Sequence, residues 1–179
     1  MRMMRLAVAV PAAVGLAAGV TGTASAAIPP PSGLTGVVDN FIDDPDEGFP
    51  CLDVQGGSHS AGAFVQVFKC NGTPAQQWRF ELTRFGTYEI LNADNLCLSP
   101  DPKTGPVPMS FVRQEPCGPP GGGQTWILQG FDNPGDSFEL VNAESNGQLC
   151  LSRRLGGSTD EITEQACNHV ELQRATWHF

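Results

Sequence analysis

Six cysteines and three tryptophans fall into one threefold register, and this constrains the chain more than any other feature. Cys51, Cys97 and Cys150 each precede a leucine and open a copy. The second cysteines, Cys70, Cys117 and Cys167, follow after 19, 20 and 17 residues. Trp78, Trp126 and Trp177 then follow those by 8, 9 and 10. A β-branched residue (Val65, Val112 or Ile162) lies five places before each second cysteine. No cysteine or tryptophan is left over, so the chain reads as three internal repeats.

No copy holds a long apolar stripe with helical period. The first holds short alternating runs instead: Phe64-Val65-Gln66-Val67-Phe68, Trp78-Arg79-Phe80 and Tyr88-Glu89-Ile90. Gly, Pro, Asn and Asp separate them, which is the pattern of short strands joined by turns. The repeat unit is thus about four strands. Three such units are too few for a typical propeller, but they can close into a barrel with few free edges. The expected fold class is all-β.

The Cys-Leu-Asp opening at Cys51, the Val65-Gln66-Val67-Phe68 middle and the Gln76-Gln77-Trp78 ending together resemble ricin B-type lectin domains. A second Gln-x-Trp stands at Gln124-Thr125-Trp126, and Ala175-Thr176-Trp177 reads as a decayed third. The resemblance covers roughly Leu34 to Phe179. It implies a β-trefoil with one disulfide per repeat. Six cysteines allow fifteen pairings. Combined with the resemblance, the repeat selects Cys51–Cys70, Cys97–Cys117 and Cys150–Cys167. Each bridge would contribute on the order of 3 kcal/mol in the chain-entropy model. A zinc site is disfavoured, because no Cys-x2-Cys spacing exists and the histidines are isolated.

The segment before the repeats reads as export and linkage. Met1–Ala26 has a basic start at Arg2 and Arg5, an apolar run from Leu6 to Val20 and a small-x-small site at Ala24-Ser25-Ala26. This is the layout of a secretory signal peptide. Export to an oxidising compartment agrees with paired cysteines. Residues 27–36 form a Pro-rich linker, and 37–179 form the single lectin-like domain. Val37–Asn40 is the expected first strand, matching Ile90-Leu91-Asn92 and Leu140-Val141-Asn142. An insertion at Phe41–Pro50 holds Asp43, Asp44, Asp46 and Glu47. Such acid density suits calcium, but Pro45 and an incomplete ligand pattern favour a solvated loop. Asn71-Gly72-Thr73 matches the glycosylation sequon, although a turn after Cys70 also accounts for it.

The chain carries a formal charge of −9, and about −11 once Arg2 and Arg5 leave with the leader. That balance excludes nucleic acid and anionic membrane surfaces as partners. Recognition of a sugar needs planar carboxylates or amides for its hydroxyls and an aromatic face for its apolar side. The resemblance assigns these roles in the first copy to Asp53, Phe68 and Gln76. Ala75 stands where the family has an Asn, which removes one amide; Gln66, His59 and Lys69 lie nearby in sequence. Each residue also has a structural reading: Asp53 capping a turn, Phe68 buried in a strand, Gln76 bracing backbone. The second copy offers Ser99, Glu115 and Gly123, and the third Ser152, Gln165, Arg174 and Ala175. Both are expected to be structural, with the three tryptophans in the core.

No catalytic constellation is present. His59 beside Ser58 and Ser60 does not make a triad, and His169 and His178 lack metal-ligand spacing. Three readings follow. The first is a secreted, monomeric, non-catalytic lectin without cofactor, binding a galactose-type sugar or a plant polysaccharide. The second is a degenerate trefoil serving a protein contact, as a toxin subunit or inhibitor. The third is a glycan-binding piece that works beside an enzyme encoded elsewhere; no fused catalytic domain is expected, since Phe179 follows soon after the last tryptophan.

Overall fold

A computed structural model describes residues 32–39, 50–119, 121–130, 137–154, 160–170 and 173–178. The expected signal peptide, the first residues of the expected linker and the acidic segment at 41–49 lie outside these. So do the readings attached to them.

Each repeat supplies four short strands. The first has β1 (Thr35–Asp39), β2 (Pro50–Val54), β3 (Val65–Lys69) and β4 (Trp78–Leu82). The second has β5 (Tyr88–Asn92), β6 (Leu96–Pro100), β7 (Val112–Pro116) and β8 (Thr125–Gln129). The third has β9 (Glu139–Asn142), β10 (Leu149–Arg153), β11 (Asp160–Ala166) and β12 (Thr176–His178). β1 begins at Thr35, so the end of the expected linker is already strand.

The outer strands of each repeat close a six-stranded barrel. β1 pairs with β4, β4 with β5, β5 with β8 and β8 with β9. A bridge between Phe138 and Ala175 joins β9 to the chain entering β12, and β12 pairs with β1. The inner strands form three hairpins, β2–β3, β6–β7 and β10–β11. These join one another through the β11–β3 pairing and the bridges Phe64 to Arg113 and Phe111 to Thr163. Closure leaves few unpaired edges, which is how a chain of short strands avoids edge-to-edge association. The result is the expected β-trefoil.

All three disulfides form as the repeat selects, with Cα–Cα distances of 5.1, 5.1 and 5.0 Å. Those fall in the usual range for disulfides, about 4.4–6.8 Å. Each ties the start of an inner hairpin to its end. The core draws one set from every repeat, including Leu52, Leu98 and Leu151 and then Val65, Val112 and Ile162. Trp78 and Trp126 are fully buried, and each indole N–H donates to the carbonyl of a repeat leucine, Leu52 at 2.9 Å and Leu98 at 3.2 Å.

The third copy departs from the expected register. Gln76 and Gln124 each donate from Nε2 to the strand end of their own repeat, Lys69 and Pro116, and each accepts an N–H just past the second cysteine. Gln173 makes the same pair, donating to the Ala166 carbonyl at 2.9 Å and accepting from Asn168 N–H at 3.0 Å. The third Gln-x-Trp element is therefore Gln173-Arg174-Ala175, not Ala175-Thr176-Trp177. Fully buried Ala175 holds the tryptophan position. Trp177 sits two residues further on, opposite Val38, where Phe80 faces Ile90 and Leu128 faces Leu140 in the other copies. Two residues along a strand return to the same face, so Trp177 still packs on the core, half-buried and edge-on to Phe80.

Gly36 explains how the larger ring fits. It stands opposite Trp78, as Tyr88 stands opposite Trp126 and Phe138 opposite Ala175. A Cβ on Gly36 would lie 2.7 Å from Trp177 Nε1 and 2.2 Å from the His178 carbonyl. The aromatic missing at Gly36 and the tryptophan missing at Ala175 are thus offset by one displaced indole.

Candidate functional site

A cleft of about 490 Å³ opens on the first repeat. Its size suits a small ligand, for which about 300–1,000 Å³ is usual. β2 delivers Asp53 to it and β3 delivers Phe68, because the β2–β3 register sets Asp53 opposite Gln66 and Cys51 opposite Phe68. Beyond β2 the chain turns at Gly56 (φ 66°) and Gly57 (φ 61°), and both line the cleft. Left-handed backbone there favours glycine, and the absent side chains keep that wall open. His59, Asn71, Thr73, Pro74 and Ala75 complete the lining.

The side chains differ in what they offer. Asp53 is 4% exposed and accepts a 2.9 Å hydrogen bond from Gln66 Nε2. Burial pushes its carboxyl above the ordinary value of 3.8, and hydrogen bonds from Gln66 and Gln76 oppose that rise. Phe68 is 52% exposed, so its ring is available as a flat apolar wall rather than packed in the core. Gln76 has no exposed surface and does not line the cleft. It braces the backbone from Lys69 to Asn71 and supports Asp53 from beneath. Ala75 lines the cleft and also packs against the core, but its side chain offers no polar atom.

The other copies lack this combination. In the second, a cleft of about 390 Å³ is lined by Ser99, Glu115 and several Pro and Gly residues. Ser99 spends its hydroxyl on the Pro100 carbonyl. In the third, Ser152 and Gln165 stand at the corresponding strand positions, and the Ser152 hydroxyl likewise turns to the Arg153 carbonyl. Among the described residues, neither copy has a buried carboxylate beside an exposed ring at the matching strand positions.

Each of the three histidines meets a carboxylate, and among the described residues none hydrogen-bonds a serine side chain. His59 lies 2.9 Å from Asp94, His169 2.9 Å from Glu139 and His178 3.2 Å from Asp39. Among the described residues, the one cluster with metal-ligand atoms in reach joins Asp39 to Cys51 and Cys70, whose sulfurs are bonded to each other. No helix among the described residues is long and apolar enough to cross a membrane.

Sequence reasoning placed Asp53 and Phe68, which the structure brings together, and weighed His59 and Gln66 as neighbours. It missed Gly56, Gly57 and Pro74 as cleft walls, and it read Asn71 and Thr73 only as a turn or sequon. No fixed spacing from a cysteine marks them as cleft residues, because they lie on turns outside the regular strands.

Comparisons with known proteins agree with this architecture. The family model described as a ricin-type beta-trefoil lectin domain matches residues 45–175. The agglutinin of Rhizoctonia solani superposes with a TM-score of 0.67 at 16% identity, covering 84% of this chain and 96% of that one. A ricin B-like lectin of Macrolepiota procera, solved in complex with lactose, gives 0.62 at 13% identity, covering 82% and 95%. An exo-beta-1,3-galactanase of Clostridium thermocellum gives 0.67 at 18% identity, covering 83% of this chain but 30% of that one. No curated protein matches in sequence.

Proposed function

This chain belongs to the ricin-type beta-trefoil lectin family, and on that premise we propose that it is a secreted, non-catalytic carbohydrate-binding protein with one working site, the first-repeat cleft. The observation that carries the reading is a buried carboxylate, Asp53, and an exposed ring, Phe68, lining one small cleft from the same face of the β2–β3 hairpin. A pyranose has hydroxyls on its edge and an apolar face, and this pair answers both. The second and third copies complete the barrel and keep the bracing glutamines. What they lack is a carboxylate at the Asp53 position, where Ser99 and Ser152 stand, and a ring at the Phe68 position, where Glu115 and Gln165 stand. Ligands to test include galactose-type sugars, by likeness to the lectin solved with lactose, and plant polysaccharides.

The test is a glycan array probed with residues 27–179 beside the Asp53→Ala variant, with both proteins checked for folding by near-UV circular dichroism. Retention of one sugar class that disappears in the variant supports the reading. Retention unchanged in the variant moves the site elsewhere. A blank array from folded, oxidised protein favours a protein-contact role for the trefoil.

A further inference from the structure

Resting on that reading of the first-repeat cleft, we propose that Asn71 supplies the ligand-facing amide that the family Asn position, Ala75, has lost. Asn71 lines the same cleft as Asp53 and Phe68 and is solvent-exposed. Its side chain is held in a defined orientation. The backbone N–H of Thr73 meets one terminal atom of the amide at 3.0 Å, and Thr73 Oγ1 meets the same atom at 2.7 Å. A backbone N–H can only donate, so that atom is the carbonyl oxygen and the other is the NH2 group. The oxygen is thus occupied by two donors, and the NH2 group meets no acceptor among the described residues. The main chain of Asn71 is pinned as well, because its N–H donates to Gln76 Oε1 at 2.8 Å.

The fold does not need an amide side chain here. The same N–H to glutamine bond is made in the second copy by Gly118, which has no side chain at all. A fixed amide that is spare to the fold, on the wall of a cleft with a carboxylate at its base, is a preorganised hydrogen-bond donor. It complements Asp53, which can only accept when ionised. Together they read one sugar hydroxyl group as acceptor and another as donor, with Phe68 against the ring face. The bound class is therefore a neutral sugar presenting two hydroxyls on the edge opposite its stacked face.

The test uses the sugar retained on the array and a set of its monodeoxy analogues, titrated against wild type, Asn71→Asp, Asn71→Ser and Asp53→Ala. Asn71→Asp keeps the oxygen that Thr73 holds and replaces the donor with an anionic acceptor. Asn71→Ser removes the NH2 group without adding charge and leaves only a shorter hydroxyl. The expected result is a loss of affinity of about tenfold in both, as for one lost hydrogen bond in a desolvated site, with the thermal midpoint unchanged in Asn71→Asp, which keeps both Thr73 bonds. In addition, wild type should discriminate against one deoxy analogue that Asn71→Ser binds as well as the parent sugar. A structural role alone would not produce that loss of discrimination. If Asp53→Ala abolishes binding while both Asn71 variants bind within twofold of wild type, the proposal is wrong and the site reading stands. If wild type retains no sugar, both fall together.

Discussion

Replacing Glu164 by glutamine should stabilise the protein, and increasingly so as pH rises. Glu164 on β11 has no exposed surface. Its Oε1 accepts a 2.6 Å hydrogen bond from Asn142 Nδ2, while Oε2 is buried with no hydrogen-bond partner. Burial, with a smaller contribution from the nearby Glu144 charge, pushes its pKa from the ordinary 4.5 up to about 8, against the pull of the Asn142 bond. The folded state then holds a proton that the unfolded chain releases above 4.5, so this group's contribution is fully present below pH 4.5 and falls away up to about pH 8. At about 1.4 kcal/mol per unit, the loss reaches about 3 kcal/mol by pH 7 and about 5 kcal/mol above pH 8.

The second copy already contains the neutral solution. There Gln114 occupies the matching place, opposite Leu98 as Glu164 is opposite Leu151. It accepts from Asn92 and donates from Nε2 to the carbonyls of Ser58 and Ser60. Urea unfolding with disulfides intact, measured for wild type and Glu164→Gln from pH 4 to 9, should give midpoints that separate progressively between pH 4.5 and 8 and then run parallel. Any fixed cost of placing the new amide shifts the whole difference curve without altering its slope. Parallel midpoints throughout, or a wild type that gains on the variant as pH rises, would refute the reasoning.

Three further outcomes are expected. Sugar binding should be lost on acidification as Asp53 takes up a proton, at a pH above the ordinary aspartate value of 3.8, because burial raises its carboxyl; titration of affinity against pH checks this, and a midpoint below 3.8 would contradict it. Phe68→Ala should weaken binding by at least about tenfold while leaving the unfolding midpoint nearly unchanged, since the ring is 52% exposed and supports little core. Gly36→Ala should destabilise by at least about 1–3 kcal/mol in chemical unfolding, because its Cβ would strike the His178 carbonyl at 2.2 Å and the Trp177 indole.

The fold was legible because its constraints are covalent and periodic. Cysteines that must pair across one hairpin cannot drift far in spacing, so Cys51–Cys70 and its two relatives mark the repeats openly. The tryptophan is a weaker marker. A strand presents the same face every second residue, so a core indole can move from the Ala175 position to Trp177 and keep its burial while breaking the motif. Gln173, six residues after Cys167 as Gln76 is six after Cys70, was the better guide, because a side chain that bonds two backbone groups has no equivalent position to move to. Asp53 and Phe68 could be found because they sit on regular strands at fixed distances from cysteines. Asn71 and the Gly56-Gly57 wall could not, since a loop's approach to a cleft depends on turn geometry that no spacing records.

Isothermal titration with the retained sugar, using wild type and Asp53→Ala in parallel, tests the one-site account most directly. The account predicts one binding event per chain in wild type and no measurable heat in the variant. Two or three equivalents per chain, or an unchanged isotherm in the variant, would contradict it.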